Sequence, residues 1–171
     1  EPFELIYVAG GAPPPIAAYL QRRAAHAGFR LIARPEPLWP NHARNLALSH
    51  VDSDYIAFVD NDIVVEPGWL KGLVSCAEET GAALVGPLYL WSDGASEPRI
   101  HMAGGVLTGV DTPTGPTLHE RHELIDAPLA ERAKLARRDC DFLEYHCLLA
   151  RTDFVRGVGG LSQDVVCVHE H

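Results

Sequence analysis

The chain has 171 residues, of which 47% are hydrophobic, and its formal net charge at pH 7 is −9. This length fits one ordinary domain with a sizeable core. The acidity excludes a protein that wraps nucleic acid, because neutralising phosphates needs clustered Lys and Arg. No apolar run approaches the roughly 18 residues that a membrane span needs. The four cysteines form no Cys-x-x-Cys pair, so a zinc knuckle is not expected. As reduced, mostly packed thiols they predict a cytoplasmic location, which includes the cytoplasmic periphery of a membrane.

The first half of the chain alternates short apolar segments with stretches of helical periodicity. Prolines open the first and third helical stretches, and Gly28 and Gly81 stop them, as is common at helix ends. Strands that alternate with helices predict an α/β fold with a mainly parallel sheet and helices on both faces. The predicted strands are 3–8, 29–33, 55–59 and 82–87, and the predicted helices are 13–27, 41–51 and 67–80.

The second half is less regular. A polar loop over 92–98 precedes a predicted strand over 100–107, and the Gly-, Pro- and Thr-rich stretch 108–118 predicts a mobile loop. Asp126 is an N-cap candidate for a helix over 126–138, whose C-terminal end is basic. Residues 142–150 return to strand character, and 152–155 fit a helical turn before a glycine-rich segment.

The most informative segment is Asp60-Asn61-Asp62, which directly follows the predicted strand 55–59. In open α/β sheets ligands bind at the carboxyl ends of the strands, and two carboxylates spaced by one residue can face the same side. Such a pair suits a hard cation, Mg²⁺ or Mn²⁺, that keeps open positions for substrate phosphates. The alternative is an acidic turn, since Asp and Asn are common in turns for hydrogen-bonding reasons alone.

Further segments stand around this triplet in a characteristic order. They are Ala43-Arg44-Asn45 before the strand, residues 66–70 after the triplet, residues 149–154 and 157–161 downstream, and His169-Glu170-His171 at the end. In order and spacing they resemble the family-two glycosyltransferases of the GT-A fold. The family pattern has an "ARN" segment, a strand that ends in a DxD-like triplet, a turn with Pro, an "R-x-x-F-x-x-V-G-G-F" segment and an acidic "ED" motif.

The resemblance implies a single GT-A domain over 1–171, truncated at both ends, with a Rossmann-like three-layer sandwich and a mainly parallel central sheet. It also implies an inverting, metal-dependent transferase that moves a sugar from a nucleotide diphosphate, by family habit UDP, to an acceptor hydroxyl. Asp60 and Asp62 would hold Mn²⁺ or Mg²⁺ and the diphosphate, with Asp62 the stronger metal ligand, and Asn61 lies between them in the donor site. Arg44 would lie near the nucleotide, although it could equally be a solvated helix arginine.

The acceptor hydroxyl needs a general base, because a neutral alcohol is a poor nucleophile. By the same resemblance, Glu170 is the first candidate and His171 the second. The family usually has Asp where His171 stands, so a histidine here could serve as the base or reach the metal.

Two other functions are compatible with the sequence. A non-catalytic module could keep the fold and bind sugar nucleotides without turnover. A nucleotidyltransferase also uses metal-binding carboxylates on a parallel sheet, but it needs a basic, glycine-rich phosphate loop after its first strand. Gly10-Gly11 is followed by prolines and has no nearby Lys or Arg, which counts against this class.

Several histidines and tryptophans carry weaker signals. His119 and His122 have the spacing of a helical zinc pair but lie in a polar segment. His101 opens a His-Met-Ala-Gly-Gly segment similar to one that lines the acceptor side in related enzymes, and a structural role is the alternative for it and for His146. Trp69 and Trp91 could stack on sugars, while Trp69, at the start of a helix, is the better candidate for the core.

Overall fold

The computed structural model describes residues 2–164, whose helices and strands confirm the α/β class. The strands are β1 (Ile6–Gly10), β2 (Arg30–Arg34), β3 (Tyr55–Val59), β4 (Leu84–Val85), β5 (Tyr89–Trp91), β6 (Arg99–Met102), β7 (Gly105–Thr112), β8 (Gly115–His122) and β9 (Cys147–Arg151). The helices are α1 (Pro14–Ala27), α2 (Pro40–Leu48), α3 (Trp69–Thr80) and α4 (Thr152–Gly157), with a 3₁₀ helix at Leu129–Lys134.

The helix boundaries in the first half follow the local chemistry of the sequence. Pro14 begins α1, where its missing N–H breaks no helical hydrogen bond. Gly28 and Gly81 end α1 and α3 in the left-handed conformation, with φ of 73° and 74°, which costs glycine little because it has no Cβ. The predicted strand 55–59 is confirmed residue for residue by β3.

The sheet that carries β3 has the order β3-β9-β4, and β9 is antiparallel to both neighbours. β1 and β2 pair in parallel, whereas β5 with β6 and β7 with β8 form antiparallel pairs. The expected mainly parallel central sheet is therefore not what the ladders of residues 2–164 form. The cause is β9, which returns from late in the chain and inserts between two strands that run parallel to each other.

The predicted loop over 108–118 is wrong, because these residues belong to a long β-hairpin. β7 and β8 pair from Gly105 opposite His122 to Thr112 opposite Gly115. Gly115 has a φ of 119°, and Thr112 Oγ1 donates to its carbonyl oxygen at 2.6 Å. Glycine and proline suggested a loop. An exposed two-stranded ribbon tolerates them, because among the described residues no third strand joins the β7–β8 sheet.

The predicted helix over 126–138 is also wrong, and only the short 3₁₀ helix forms there. Asp126 is not an N-cap: it has a φ of 60°, and its carboxylate accepts a hydrogen bond from Arg99 Nε at 2.7 Å. Ile100 exchanges backbone hydrogen bonds with Asp126 and Ala127, both at 2.8 Å. Pro128 also disfavours a helical conformation at Ala127, so no α-helix can begin at Asp126, where the composition suggested one.

The core lies on both faces of β9, whose first four residues are buried. Because side chains alternate along a strand, Cys147 and Leu149 join one cluster and Ala150 joins the other. The first cluster also contains Leu73, Ala77, Val85, Tyr89 and Met102, and the second contains Leu48, Val51, Ile56, Phe58 and Val155.

Among residues 2–164, no helix combines the length and apolarity that crossing a membrane requires.

Candidate active site

Asp60 lies at the carboxyl end of β3 and is held from two sides. Arg44 of α2 donates from Nη2 to Asp60 Oδ1 at 3.2 Å, and His146 Nδ1 lies 3.1 Å from Oδ2. The Asp60 N–H also donates to the His146 carbonyl oxygen at 2.9 Å. Only 23% of the Asp60 side chain and 12% of the Arg44 side chain are exposed, so the pair is screened less by solvent than a surface ion pair.

Arg44 is itself fixed by its neighbours. Its guanidinium lies over the ring of Tyr145, 4.6 Å from the centroid, in a cation–π contact. Its Nη1 donates to Asn41 Oδ1 at 3.3 Å, one helical turn earlier. Burial raises the pKa of Tyr145, and the positive charge of Arg44 acts in the opposite direction. The solvated helix arginine considered from sequence is therefore not what the structure places here.

Asn61 and Asp62 differ from Asp60 in that both are exposed. Within residues 2–164 the Asp62 carboxylate makes no hydrogen bond or ion pair. Within the triplet, the Asp60 carboxylate is therefore fixed by neighbouring side chains and the Asp62 carboxylate is exposed to solvent. This division suits ligand binding, because a carboxylate without protein partners can accept a cation at no cost in internal contacts.

The two asparagines of α2 reach the glycine-rich segment after α4. Asn45 Nδ2 donates to the Leu161 carbonyl oxygen at 2.8 Å, and the Leu161 N–H donates back to Asn45 Oδ1 at 2.9 Å. Asn41 Nδ2 donates to the Ser162 carbonyl oxygen at 2.7 Å. Gly160 has a φ of 85°, and a Cβ there would lie 2.9 Å from Asn45 Oδ1. The candidate bases Glu170 and His171 follow this segment and lie outside the described residues.

A second cluster of polar side chains surrounds Glu144, whose side chain is 7% exposed. His101 Nε2 lies 3.2 Å from Glu144 Oε2, and His146 Nε2 lies 3.8 Å from the same oxygen. His122 Nδ1 lies 3.5 Å from Oε1. None of these contacts has the geometry of a hydrogen bond, so within residues 2–164 both Glu144 oxygens lack a hydrogen-bond donor.

The side chains of residues 144–147 enter different surroundings as the chain reaches β9. Glu144 and His146 face the histidine cluster, Tyr145 lies beneath Arg44, and Cys147 enters the core. The Tyr89 hydroxyl fixes this backbone, because its oxygen lies within hydrogen-bond distance of two carbonyl oxygens, that of Glu144 at 2.8 Å and that of Cys147 at 2.6 Å. Burial raises the pKa of the Tyr89 hydroxyl and raises that of the Cys147 thiol to about 11.

Comparison with known proteins decides the family. Residues 1–127, almost three quarters of the chain, match the family described as "Glycosyl transferase family 2". The chain belongs to glycosyl transferase family 2. It is also 23% identical over 140 residues to the pre-mycofactocin glycosyltransferases of two Mycobacterium tuberculosis strains, CDC 1551 / Oshkosh and ATCC 25618 / H37Rv. The match covers 81% of this chain and 26% of each relative, so the chain spans about a quarter of their length.

Family membership implies the GT-A fold, and the matched region contains Arg44 and the Asp60-Asn61-Asp62 triplet. Glu144 and His146 come after the matched region. The nucleotidyltransferase alternative is not supported, because the matched family is a glycosyltransferase family and because Gly10 and Gly11 lie against the chain at Leu38 and Pro37. A Cβ at Gly10 would lie 2.7 Å from Leu38 Cγ, so these glycines serve packing.

The structure brings together residues that the sequence singled out separately. Arg44, Asp60 and His146 are in contact, and His146 also joins His101 at the Glu144 carboxylate. The weak signal for a zinc pair at His119 and His122 has no support in the geometry, because both lie on β8 and residues three apart on a strand face opposite sides. Trp69 packs against the first core cluster, whereas Trp91 is 44% exposed.

Sequence reasoning missed Glu144 and the roles of Asn41 and Asn45. A charged residue inside the apolar segment 142–150 was the available signal, since carboxylates are rarely buried without a partner. No sequence signal marked Asn41 and Asn45, because their hydrogen-bond partners are backbone groups more than 110 positions away in the chain.

Proposed function

We propose that this domain binds a nucleotide-diphosphate sugar at the carboxyl end of β3 and transfers the sugar, with inversion, to an acceptor hydroxyl. The observation that supports the proposal best is the state of the triplet in this family-two chain. Asp60 is held between Arg44 and His146, and Asp62 is exposed beside it with no hydrogen bond or ion pair to any of residues 2–164. A rigid carboxylate next to a solvent-exposed one forms a suitable binding site for a divalent cation and the diphosphate that the cation neutralises.

The triplet fits Mn²⁺ or Mg²⁺, the cofactor we propose. A carboxylate offers about four lone-pair sites, and Arg44 and His146 occupy one on each Asp60 oxygen, so Asp60 keeps acceptor capacity. Asp62 would supply the main ligand oxygen, and Asn61 would line the donor site between them. When bound, the cation would supply positive charge that stabilises the departing diphosphate.

Arg44 contributes in two ways to this proposal. It holds Asp60 in place through a charged hydrogen bond, and its mostly buried guanidinium adds positive potential next to the diphosphate site. A cation in a partly desolvated position acts more strongly than one in water. The stacking on Tyr145 limits its movement, so little conformational entropy is lost when a ligand arrives.

Glu170, or His171 as the second candidate, would remove the proton of the acceptor hydroxyl as its oxygen attacks the anomeric carbon. Asn41 and Asn45 support this assignment indirectly, because they tie residues 161 and 162 to the helix that carries Arg44. The backbone that leads to the candidate base is thereby held next to the donor site. UDP-sugar is the proposed donor, and a hydroxyl-bearing carbohydrate or other molecule is the proposed acceptor.

Calorimetric titration with UDP tests the donor site. We expect binding with Mn²⁺ to be at least tenfold tighter than binding with EDTA, and Asp62→Asn to abolish this difference. Asp111→Asn, which removes an exposed carboxylate on the β7–β8 hairpin, is the matched control and should keep it. Metal-independent UDP binding, or equal loss in both variants, would contradict the proposal. Release of UDP from a UDP-sugar then separates a transferase from a module that only binds.

A further inference from the structure

We propose that His101, Glu144 and His146 form a site for one divalent transition-metal ion of the zinc class. The three residues each offer one ligand atom within 4.8 Å of the other two. The atoms we assign are the two Nε2 atoms and Glu144 Oε2, because both Nε2 atoms lie next to that oxygen. This site goes beyond the proposed function, because the triplet at Asp60 offers oxygen ligands for a hard cation, whereas this cluster also offers imidazole nitrogens. Two imidazoles with one carboxylate favour Zn²⁺, Co²⁺ or Ni²⁺ over Mg²⁺.

The buried carboxylate is the first observation in favour. Glu144 is 93% buried by side chain, and within residues 2–164 neither of its oxygens receives a well-oriented hydrogen bond. Burying a carboxylate costs several kcal/mol unless it is paired or bound to a metal. Three imidazole nitrogens lie 3.2, 3.5 and 3.8 Å from its oxygens, but none of them makes a hydrogen bond to Glu144. A metal ion bound among these side chains would give Glu144 Oε2, which lies near His101 and His146, the partner that it lacks.

The spacing of the atoms is the second observation. A tetrahedral ion with bonds of about 2.0–2.2 Å keeps its ligand atoms roughly 3.3–3.6 Å apart. The distances from Glu144 Oε2 to the two Nε2 atoms are 3.2 and 3.8 Å, which bracket this range. Three protein ligands leave a fourth position open, as in zinc sites that bind water or substrate. The side chains of His101 and His146 are 35% and 24% exposed, so solvent can reach that position.

The surroundings set the histidine tautomer that metal binding needs. His146 Nδ1 lies 3.1 Å from Asp60 Oδ2. Because an ionised carboxylate can only accept, this contact favours a proton on Nδ1 and leaves Nε2, which lies next to Glu144, as the nitrogen that can bind a metal. Carboxylate–histidine–metal arrangements of this kind orient the ring and raise its basicity. On the other side, His122 Nδ1 lies next to Oε1 and would act as a positioning residue that leaves Oε2 for the metal. Asp60 therefore connects the zinc-class site to the donor triplet.

Cobalt is the probe for the test, because tetrahedral Co²⁺ absorbs visible light much more strongly than octahedral Co²⁺. The metal-stripped chain is titrated with Co²⁺ without nucleotide, followed by visible absorption, and then back-titrated with Zn²⁺. We expect one strongly absorbing Co²⁺ per chain, displaced by one Zn²⁺. Glu144→Gln and His146→Gln should each weaken binding at least tenfold. His119→Gln, an exposed histidine on β8, should change nothing.

Weak, non-saturable absorption in the parent chain would overturn the proposal, and so would Glu144→Gln binding Co²⁺ as tightly as the parent. If Glu144→Gln fails to fold by circular dichroism, His101→Gln, at the more exposed ligand, takes its place with the same expectation. Asp62→Asn separates this proposal from the donor site, because it should remove Mn²⁺-dependent UDP binding and leave Co²⁺ absorption intact. Asp60→Asn should weaken Co²⁺ binding by about 10–100-fold, the usual effect of losing an outer partner.

Discussion

Asp60 and His146 face each other where β3 ends and β9 begins, joined both by backbone and by side chains. The Asp60 N–H donates to the His146 carbonyl oxygen at 2.9 Å, and the imidazole Nδ1 lies 3.1 Å from the Asp60 carboxylate. Antiparallel pairing of β3 with β9 places them opposite each other, one step beyond Val59 and Cys147. A strand from late in the chain thus orients the first carboxylate of the triplet.

This arrangement predicts different effects for the two aspartates on stability. Asp60→Asn removes the charge that Arg44 and His146 share, so we expect a loss of about 1.5–3 kcal/mol in the free energy of unfolding, as for hydrogen bonds to charged groups. Asp62→Asn should change it by no more than about 0.5 kcal/mol, the usual range for an exposed position. Urea unfolding of both variants measures this, and equal stability of the two would show that Asp60 is not held as described.

Arg44 should matter through its planar shape as well as its charge. Arg44→Lys keeps a cation but loses the fork that reaches Asp60 and Asn41 while it stacks on Tyr145. We expect UDP affinity with Mn²⁺ to fall about tenfold, which corresponds to roughly 1.4 kcal/mol. Arg22→Lys on the exposed side of α1 is the control. Unchanged affinity in Arg44→Lys would remove Arg44 from the proposed donor site.

Much of the first half of the fold could be predicted from the sequence. Proline at helix starts and glycine at helix ends act locally, so the bounds of α1 and α3 and the position of β3 were accessible. β9 itself was also accessible as an apolar run. Its place between β3 and β4 was not, because partner choice depends on packing between segments far apart in the chain. The result is an antiparallel strand where alternation predicted a parallel sheet.

The candidate site divides in the same way. The triplet and Arg44 stand out because each belongs to a local pattern, and the family match covers them. Glu144 belongs to no local pattern, and its environment comes from β6, β8 and the segment before β9. Its burial beside three histidines is a property of the assembled fold.

Gly160 provides a test of the contact between α2 and the segment that leads to the candidate base. Gly160→Ala would place a Cβ 2.9 Å from Asn45 Oδ1 at a φ of 85°, so we expect a loss of about 1–2 kcal/mol and slower sugar transfer. Gly157→Ala is the matched control, because it ends α4 with no atom within 4 Å of the added Cβ. It should be neutral or stabilising by up to about 1 kcal/mol. If both variants unfold alike in urea, the Asn45 contact does not hold this segment.

The buried Tyr89–Cys147 pair predicts a loss of stability at alkaline pH. Burial raises the pKa of the Cys147 thiol from 9.0 to about 11, and it raises the pKa of the Tyr89 hydroxyl above its ordinary value of 10.0. Both groups hold their protons more tightly in the folded chain. The contribution of the thiol is therefore complete below pH 9 and is lost as the pH rises to about 11, and the contribution of the Tyr89 hydroxyl starts to be lost above pH 10. Urea midpoints should therefore fall over this interval at constant ionic strength. Cys147→Ala removes one of the two groups, so its midpoint should fall less steeply over the same interval whatever its absolute stability, and an unchanged slope would show that the thiol does not contribute.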